Sequence, residues 1–275
     1  RRVAARAAAH RLTQLTGTKL GDHIGYTVRG DSHTSAATII EFVTPGILVR
    51  RLLADPMADG TAAIILDEVH ERHLETDLLL ALTGETQQVR DDLTIIAMSA
   101  TVDAPTFARL LASDGSENDG VGGSGGGADL GGVEPVPHIS SATALHPLTV
   151  TYAPHTGDRI GPRGVETSFL NHIATTALAA HSEALATNPE TDALVFAPGA
   201  REVDHITQQL RAATTDIDVL PLHGQLPAQQ QDHAIRGRQP GGKPRIIVST
   251  TLAESSLTVP GVHLSLIHIS ERAGK

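Results

Sequence analysis

The stretch Ala62-Ala63-Ile64-Ile65-Leu66-Asp67-Glu68-Val69-His70-Glu71-Arg72 joins an apolar run of strand length directly to two adjacent carboxylates. Runs such as 62–66 are typical of strands that are buried on both faces of a parallel sheet. Ligands of open parallel sheets bind just beyond the carboxyl ends of the strands. The pattern predicts that Asp67 and Glu68 lie at such an edge, where one carboxylate can hold a metal ion and the other can orient water. A strand followed by a charged turn explains the same residues equally well.

His70 follows Asp67 at a spacing that would also suit a pair of zinc ligands. A zinc site needs at least three protein ligands, and the segment offers a third only if His73 rotates inward. The residues therefore disfavour a zinc site.

The overall composition predicts a soluble, cytoplasmic globular protein without a membrane partner. Of the 275 residues, 40% are hydrophobic and 19% are charged, and the chain has no long apolar span. It contains no cysteine, which excludes disulfides and thiolate metal sites. The net charge of −10 provides no global basic surface for nucleic acid, although a local arginine cluster can still bind phosphates.

Apolar runs of strand length alternate with helical segments on both sides of a join near residue 147. This alternation implies right-handed crossovers and parallel sheets, so the predicted fold class is α/β with two tandem domains. Residues 113–132 are rich in glycine, serine and aspartate, and they predict a flexible surface insertion in the first domain.

Seven sequence blocks, the acidic box 67–70 among them, occur in an order that resembles the DEAH class of superfamily 2 helicases. Within this class, the blocks resemble the bacterial HrpB type, with the HrpA type as the second choice. The resemblance covers residues 1–262 and implies two RecA-like domains, 1–147 and 148–262. The other six blocks are Arg1-Arg2-Val3-Ala4-Ala5, Thr44-Pro45-Gly46, Ser99-Ala100-Thr101, 194–203, Leu222-His223-Gly224-Gln225-Leu226 and 249–258.

By this resemblance the protein is an ATP-dependent helicase that uses ATP and Mg²⁺. Asp67 would hold Mg²⁺ through water and Glu68 would polarise the attacking water, which suits the needs of phosphoryl transfer. The family also implies residues that couple ATP hydrolysis to the two domains: His70, Ser99, Thr101, Glu254 and Ser255.

The partner implied by the resemblance is single-stranded RNA or DNA, bound mainly through its sugar–phosphate backbone. The matching positions are Arg1, Arg2, Thr44, Pro45, Gly46 and Thr250.

Three departures from the family pattern qualify this prediction. The sequence contains no Gly-x-x-x-x-Gly-Lys-Ser/Thr phosphate loop, and it has no Gln- and Arg-rich motif VI. Residues 263–275 do not continue the pattern and are interpreted as a non-native tail. We therefore expect a chain that is truncated at both ends and inactive in catalysis by itself. A nucleic-acid-binding module without ATPase activity and a different P-loop-related ATPase are the alternatives.

Overall fold

Parallel strand pairs in both halves of the chain form the framework of the structure. The computed structural model describes residues 2–100, 136–141, 147–162, 164–250 and 259–267. The chain divides into two units, which comprise residues 21–147 and residues 1–20 with 148–275. We call them the acidic-box unit and the C-terminal unit. The predicted insertion 113–132 lies outside the described residues.

The described elements alternate between strands and helices over most of the chain. The helices are α1 (Arg2–Thr16), α2 (Pro45–Ala54), α3 (Leu74–Val89), α4 (Thr167–Thr187), α5 (Ala200–Ala213) and α6 (Ala228–Ile235). The strands are β1 (Ile24–Val28), β2 (Asp31–His33), β3 (Ile40–Val43), β4 (Ala63–Leu66), β5 (Thr94–Ala97), β6 (Ile160–Gly161), β7 (Gly164–Val165), β8 (Asp192–Phe196), β9 (Asp218–Leu222), β10 (Arg245–Ser249) and β11 (Val262–Leu266). None of the helices in these ranges is long and apolar enough to cross a membrane.

The acidic-box unit contains two small sheets. In the first, β1 pairs parallel with β3 and antiparallel with β2. In the second, β4 pairs parallel with β5, and α2 and α3 cover one face of this pair. On that face Ile64 and Leu66 are buried, whereas Ile65 on the opposite face is 57% exposed. The expectation that β4 is buried on both faces is wrong for the described residues, because their helices pack on one side of it.

A bidentate ion pair joins β3 to α2, with one partner before the block 44–46 and the other after it. Both amino groups of Arg51 donate to the carboxylate of Glu41, at 2.7 and 2.8 Å, and the Thr27 hydroxyl donates at 2.5 Å. The hydrogen bonds from Arg51, together with that from Thr27, hold the pKa of Glu41 below its ordinary value of 4.5, although burial opposes them.

This lowered pKa predicts a small acid-dependent loss of stability. The contribution of Glu41 is fully present above about pH 4.5 and is lost as the pH falls through the lowered pKa of the folded state. Because the Arg51 side chain is 49% exposed, we expect less than about 1 kcal/mol. Glu41→Gln should remove this part of the pH dependence in urea unfolding, whereas Glu85→Gln, at an exposed position of α3, should leave it unchanged. Identical pH profiles for Glu41→Gln and the unmodified chain would contradict the assignment.

The C-terminal unit is built on a four-stranded parallel sheet in the order β11-β8-β10-β9. All residues of β8 and β10 are buried, as expected for central parallel strands that are covered on both faces. Helices α4 and α5 pack on one face, and α6 packs on the other.

Helix α1 belongs to the C-terminal unit rather than to the unit that contains the acidic box. Val3 packs in a core cluster with Phe196 and Ile235. Arg6 is buried and donates a hydrogen bond of 2.9 Å to Gln231. The predicted boundaries assign residues 1–20 to the first domain, and the structure differs there because the apolar side of α1 is buried against α6.

Strand β11 includes residues that were predicted to belong to a non-native tail. Val262–Leu266 pairs in parallel with β8, and Leu264 and Leu266 pack against the core of the sheet. Residues 263–266 are thus part of the fold. Their alternation of polar and apolar residues has the period of a strand with one buried face, which is a signal that the prediction missed. Residues 268–275 lie outside the described part of the chain.

Candidate active site

The acidic box forms a tight turn at the carboxyl end of β4. Val69–Glu71 makes a single 3₁₀ turn, and the residues on either side of it, Glu68 and Arg72, have φ angles of 55° and 52°. Left-handed backbone is costly for residues other than glycine and concentrates at functional sites. The surrounding structure holds this conformation, because Val69 is fully buried and its N–H donates to the Met98 carbonyl at 3.1 Å.

The Asp67 carboxylate lies where strand β4 ends and the turn begins. Its Oδ1 accepts a hydrogen bond of 2.9 Å from the Glu68 N–H. The other carboxylate oxygen has no hydrogen-bond partner among the described residues, so it is available for a hard cation or a water molecule. Mg²⁺ in nucleotide sites needs only one or two carboxylates, with water and phosphate oxygens as its other ligands. The residues present therefore fit Mg²⁺ held through Asp67.

A zinc site at the acidic box receives no support from the geometry. No group of three or more His, Cys, Asp or Glu side chains in the described ranges is arranged to hold a metal ion. His73 pairs with Glu71 at 2.6 Å, and Arg72 pairs with Asp77 at 3.1 Å. The charged side chains Glu71 and Arg72 of the turn are thus paired with His73 and with Asp77 in the first turn of α3.

His70 connects the acidic box to the end of the neighbouring strand. Its Nδ1 lies 3.3 Å from the Ala100 N–H and 3.4 Å from Oε2 of Glu68. A single ring nitrogen cannot accept a hydrogen bond from the Ala100 N–H and donate one to the Glu68 carboxylate at the same time. Because the Ala100 N–H can only donate, the neutral ring with its proton on Nε2 matches the Ala100 contact. The protonated ring would pair with Glu68 instead.

The block Thr44-Pro45-Gly46 starts helix α2 in the same unit. Thr44 has extended backbone and precedes the helix, and proline occupies its first position. A Cβ atom on Gly46 would lie 3.3 Å from Oε1 of Glu75, so the glycine allows this carboxylate to approach the helix N-terminus closely. A negative group is favoured there by the helix dipole.

The other predicted site residues are distributed over the rest of the chain. Ser99 directly precedes Ala100. Arg2 is exposed at the start of α1, and the Thr250 N–H donates to the Leu222 carbonyl at 3.3 Å; both residues belong to the C-terminal unit. Four predicted positions lie outside the described residues: Arg1, Thr101, Glu254 and Ser255.

Three groups at the site were not predicted from the sequence: the Met98 carbonyl, the Ala100 N–H and the Glu75 carboxylate. The first two are backbone groups, so their contacts do not depend on which side chain occupies position 98 or 100. Glu75 was detectable in principle, because an acidic residue in the first turn of α3 follows the box at a short distance.

Comparison with protein families identifies the C-terminal part of the chain. The family "Helicase conserved C-terminal domain" matches residues 176–271, which include strands β8 to β11. This part of the chain is therefore similar to the C-terminal domain of helicases.

Similarity to individual helicases extends over the whole chain. The "Probable ATP-dependent RNA helicase DHX35 homolog" of Caenorhabditis elegans is 34% identical over 95% of this chain and 33% of its own length. The "ATP-dependent RNA helicase HrpB" of Escherichia coli is 31% identical over 100% of this chain and 30% of its own length. Two crystal structures of E. coli HrpB each match 96% of this chain. The first has a TM-score of 0.72 and 32% identity, and 30% of its own chain is covered. The second has a TM-score of 0.60 and 31% identity, and 29% of its own chain is covered.

Over its whole length the chain is similar to helicases of the DEAH/HrpB type, and its parallel sheets match the RecA-like fold of the HrpB structures. It spans about a third of the length of the relatives that it matches.

Proposed function

We propose that the protein containing this segment hydrolyses ATP with Mg²⁺ and uses the energy to move along single-stranded RNA in the cytoplasm. The observation that carries the proposal is the strained turn 67–72, which presents two carboxylates at the end of a parallel strand. The bond of 3.3 Å between His70 and Ala100 connects this turn to the next strand end. The names of the relatives support RNA as the nucleic acid.

The residues of the turn suit different parts of phosphoryl transfer. Bound Mg²⁺ would neutralise charge on the β- and γ-phosphates, and the open oxygen of Asp67 would hold it, directly or through water. Glu68 would orient the attacking water and accept its proton. His70 would couple the turn to Ser99-Ala100-Thr101, and Glu254 and Ser255 would contribute from the C-terminal unit.

Nucleic acid would contact both units through groups that suit phosphates. In the acidic-box unit, the start of α2 offers the Thr44 hydroxyl and backbone N–H groups next to Gly46. Glu75 lies against the same helix end, so a phosphate would have to displace this carboxylate or approach beside it. In the C-terminal unit the proposed contacts are Arg1, Arg2 and Thr250.

A hybrid protein tests the catalytic part of the proposal. In this hybrid, residues 1–275 replace the aligned stretch of E. coli HrpB, so that the flanking parts of the relative complete the enzyme. We expect ATP turnover that single-stranded RNA accelerates. A hybrid that is folded by circular dichroism but hydrolyses no ATP with or without RNA would contradict the proposal.

A second candidate function is nucleic-acid binding without ATPase activity, and the lack of a Gly-x-x-x-x-Gly-Lys-Ser/Thr sequence in the 275 residues favours it for the chain alone. If Arg1 and Arg2 contact phosphates, changing both to alanine should weaken binding of the chain to oligouridylate. The slope of log affinity against log salt should fall by about 0.7 for each lost contact.

Arg11→Ala provides the matched control for this binding experiment, because Arg11 is exposed on the same helix α1. It should leave both the affinity and the salt slope unchanged. Equal losses for Arg11→Ala and for the double change at Arg1 and Arg2 would show that the effect is one of general charge.

A further inference from the structure

A groove runs along the outer side of β9 in the C-terminal unit, between the end of α5 and the exposed side of α6. It is lined by Arg211, Leu220, Pro221, Gln229, Gln230 and His233. Leu220 and Pro221 are partly buried and provide an apolar floor, whereas the four polar side chains are exposed. None of the residues proposed to act on ATP or nucleic acid lines this groove.

Arg211 is held in place by the strand that forms the floor. Its Nε and Nη2 both donate to the Val219 carbonyl, at 3.1 and 2.7 Å. Its Nη1 has no hydrogen-bond partner among the described residues. A fixed guanidinium with one free donor group can bind an anion at little entropic cost.

Two features of β9 disfavour recognition by strand addition. The Val219 carbonyl is already bonded to Arg211, and Pro221 has no N–H to donate. A segment that enters the groove must therefore be recognised through side chains. Gln229 and Gln230 supply amide groups that can bond the backbone of an extended peptide.

The charges of the groove select the class of ligand. Arg211 is its permanent cation, and no carboxylate belongs to the lining in the described part of the chain. One cation suits a single carboxylate, whereas a nucleic-acid strand needs a row of cations. The net charge of −10 further disfavours a polyanion.

We propose that this groove binds an extended peptide segment of a partner protein, in which a glutamate or aspartate side chain lies next to an aliphatic residue. The carboxylate pairs with Nη1 of Arg211, and the aliphatic side chain packs on Leu220 and Pro221. Gln229 and Gln230 form hydrogen bonds with the peptide backbone. This interaction is independent of the proposed hydrolysis of ATP.

The test is an NMR titration of the ¹⁵N-labelled 275-residue chain with an acetylated and amidated heptapeptide, Gly-Ser-Leu-Glu-Leu-Ser-Gly. The blocked termini leave the glutamate side chain as the only charge. We expect saturable shifts of the amides of Gln229 and Gln230, and at least tenfold weaker binding when glutamine replaces the peptide glutamate.

Two variants separate the groove from the rest of the surface. Gln229→Glu places a carboxylate in the groove without disturbing the bonds of Arg211 to Val219, and it should weaken binding at least tenfold. Gln208→Glu adds the same charge at an exposed position of α5 outside the lining and should leave binding unchanged. The proposal is overturned if the two peptides bind equally, if no saturable shift occurs in the groove, if Gln229→Glu has no effect, or if oligouridylate shifts these amides more strongly than the peptide.

Discussion

Replacement of Asp192 by alanine is expected to destabilise the C-terminal unit by about 3–5 kcal/mol, the loss that follows when a buried ion pair is left with one member. Asp192 is fully buried at the start of β8. Its Oδ1 accepts a hydrogen bond of 2.9 Å from the backbone N–H of Arg245. Its Oδ2 lies 2.9 Å from Nε and 2.7 Å from Nη2 of the Arg245 side chain, both of which are donors. The change removes these three contacts with Arg245 and also the longer ion pair between Oδ1 and Nη1 of Arg238 at 4.0 Å.

The position of this pair explains why the effect should be large. Asp192 and Arg245 are the first residues of the two central strands β8 and β10. Arg245 also donates to the carbonyl of Pro260 at 3.0 Å and to that of Arg236, which connects the pair to the approach to β11 and to the end of α6. Without Asp192, the Arg245 guanidinium remains buried with its charge uncompensated.

The measurement is the free energy of unfolding of the 275-residue chain in urea. Asp218→Ala is the matched control, because Asp218 is the first residue of the neighbouring strand β9 but is exposed. It should change the free energy by no more than about 0.5 kcal/mol. A loss below about 1 kcal/mol for Asp192→Ala would show that the pair does not stabilise the sheet as argued.

Glu68→Gln is expected to lower the turnover number of the hybrid enzyme by a factor on the order of 10²–10⁴, the usual contribution of a positioned general base. Glutamine keeps the shape of the side chain and can still contact water, but it cannot accept the proton. Nucleotide affinity should stay within about threefold, because phosphate contacts and Mg²⁺ binding do not depend on this carboxylate in the proposed mechanism.

Glu71→Gln tests whether that loss is specific to the proposed base. Glu71 belongs to the same 3₁₀ turn, but its carboxylate pairs with His73 at 2.6 Å. We expect this variant to keep its turnover within about threefold of the unmodified hybrid, since a largely exposed pair contributes little. Similar losses in both variants would indicate that the turn is sensitive to any change of charge.

Much of the fold was predictable because burial imposes a simple period on the sequence. The apolar runs ending at Leu66 and Ser249 indicated parallel strands, and the Pro45 signal marked the start of α2 correctly. The matched family and the E. coli structures confirm the α/β class and the helicase type. Short-range patterns carry these features, so a single sequence is sufficient to find them.

Long-range contacts were not predictable in the same way. Asp192 and Arg245 are 53 residues apart, and no local pattern indicates that they form a buried pair. The placement of α1 depends on contacts of Val3 and Arg6 with residues more than 190 positions later in the chain. The left-handed backbone at Glu68 and Arg72 was also unexpected, because neither position carries the glycine that usually signals it.

Only the side chains of the candidate site could be proposed from the sequence. Asp67, Glu68 and His70 were proposed from their order after a strand and from resemblance to a family. The geometry that connects them to the next strand depends on the backbone of Met98 and Ala100, which any residue type can supply. The role of each group in hydrolysis is therefore a proposal, which the variants described above test.

ATP turnover, measured for the 275-residue chain alone and for the hybrid enzyme, each with and without Glu68→Gln, tests the central claim most directly. The claim is that the turn at the end of β4 is the hydrolytic site of a helicase and needs a phosphate loop supplied by flanking sequence. We predict no turnover by the chain alone, and RNA-stimulated turnover by the hybrid that Glu68→Gln lowers by a factor on the order of 10²–10⁴. Turnover by the chain alone that depends on Glu68, or hybrid turnover that Glu68→Gln leaves unchanged, would contradict it.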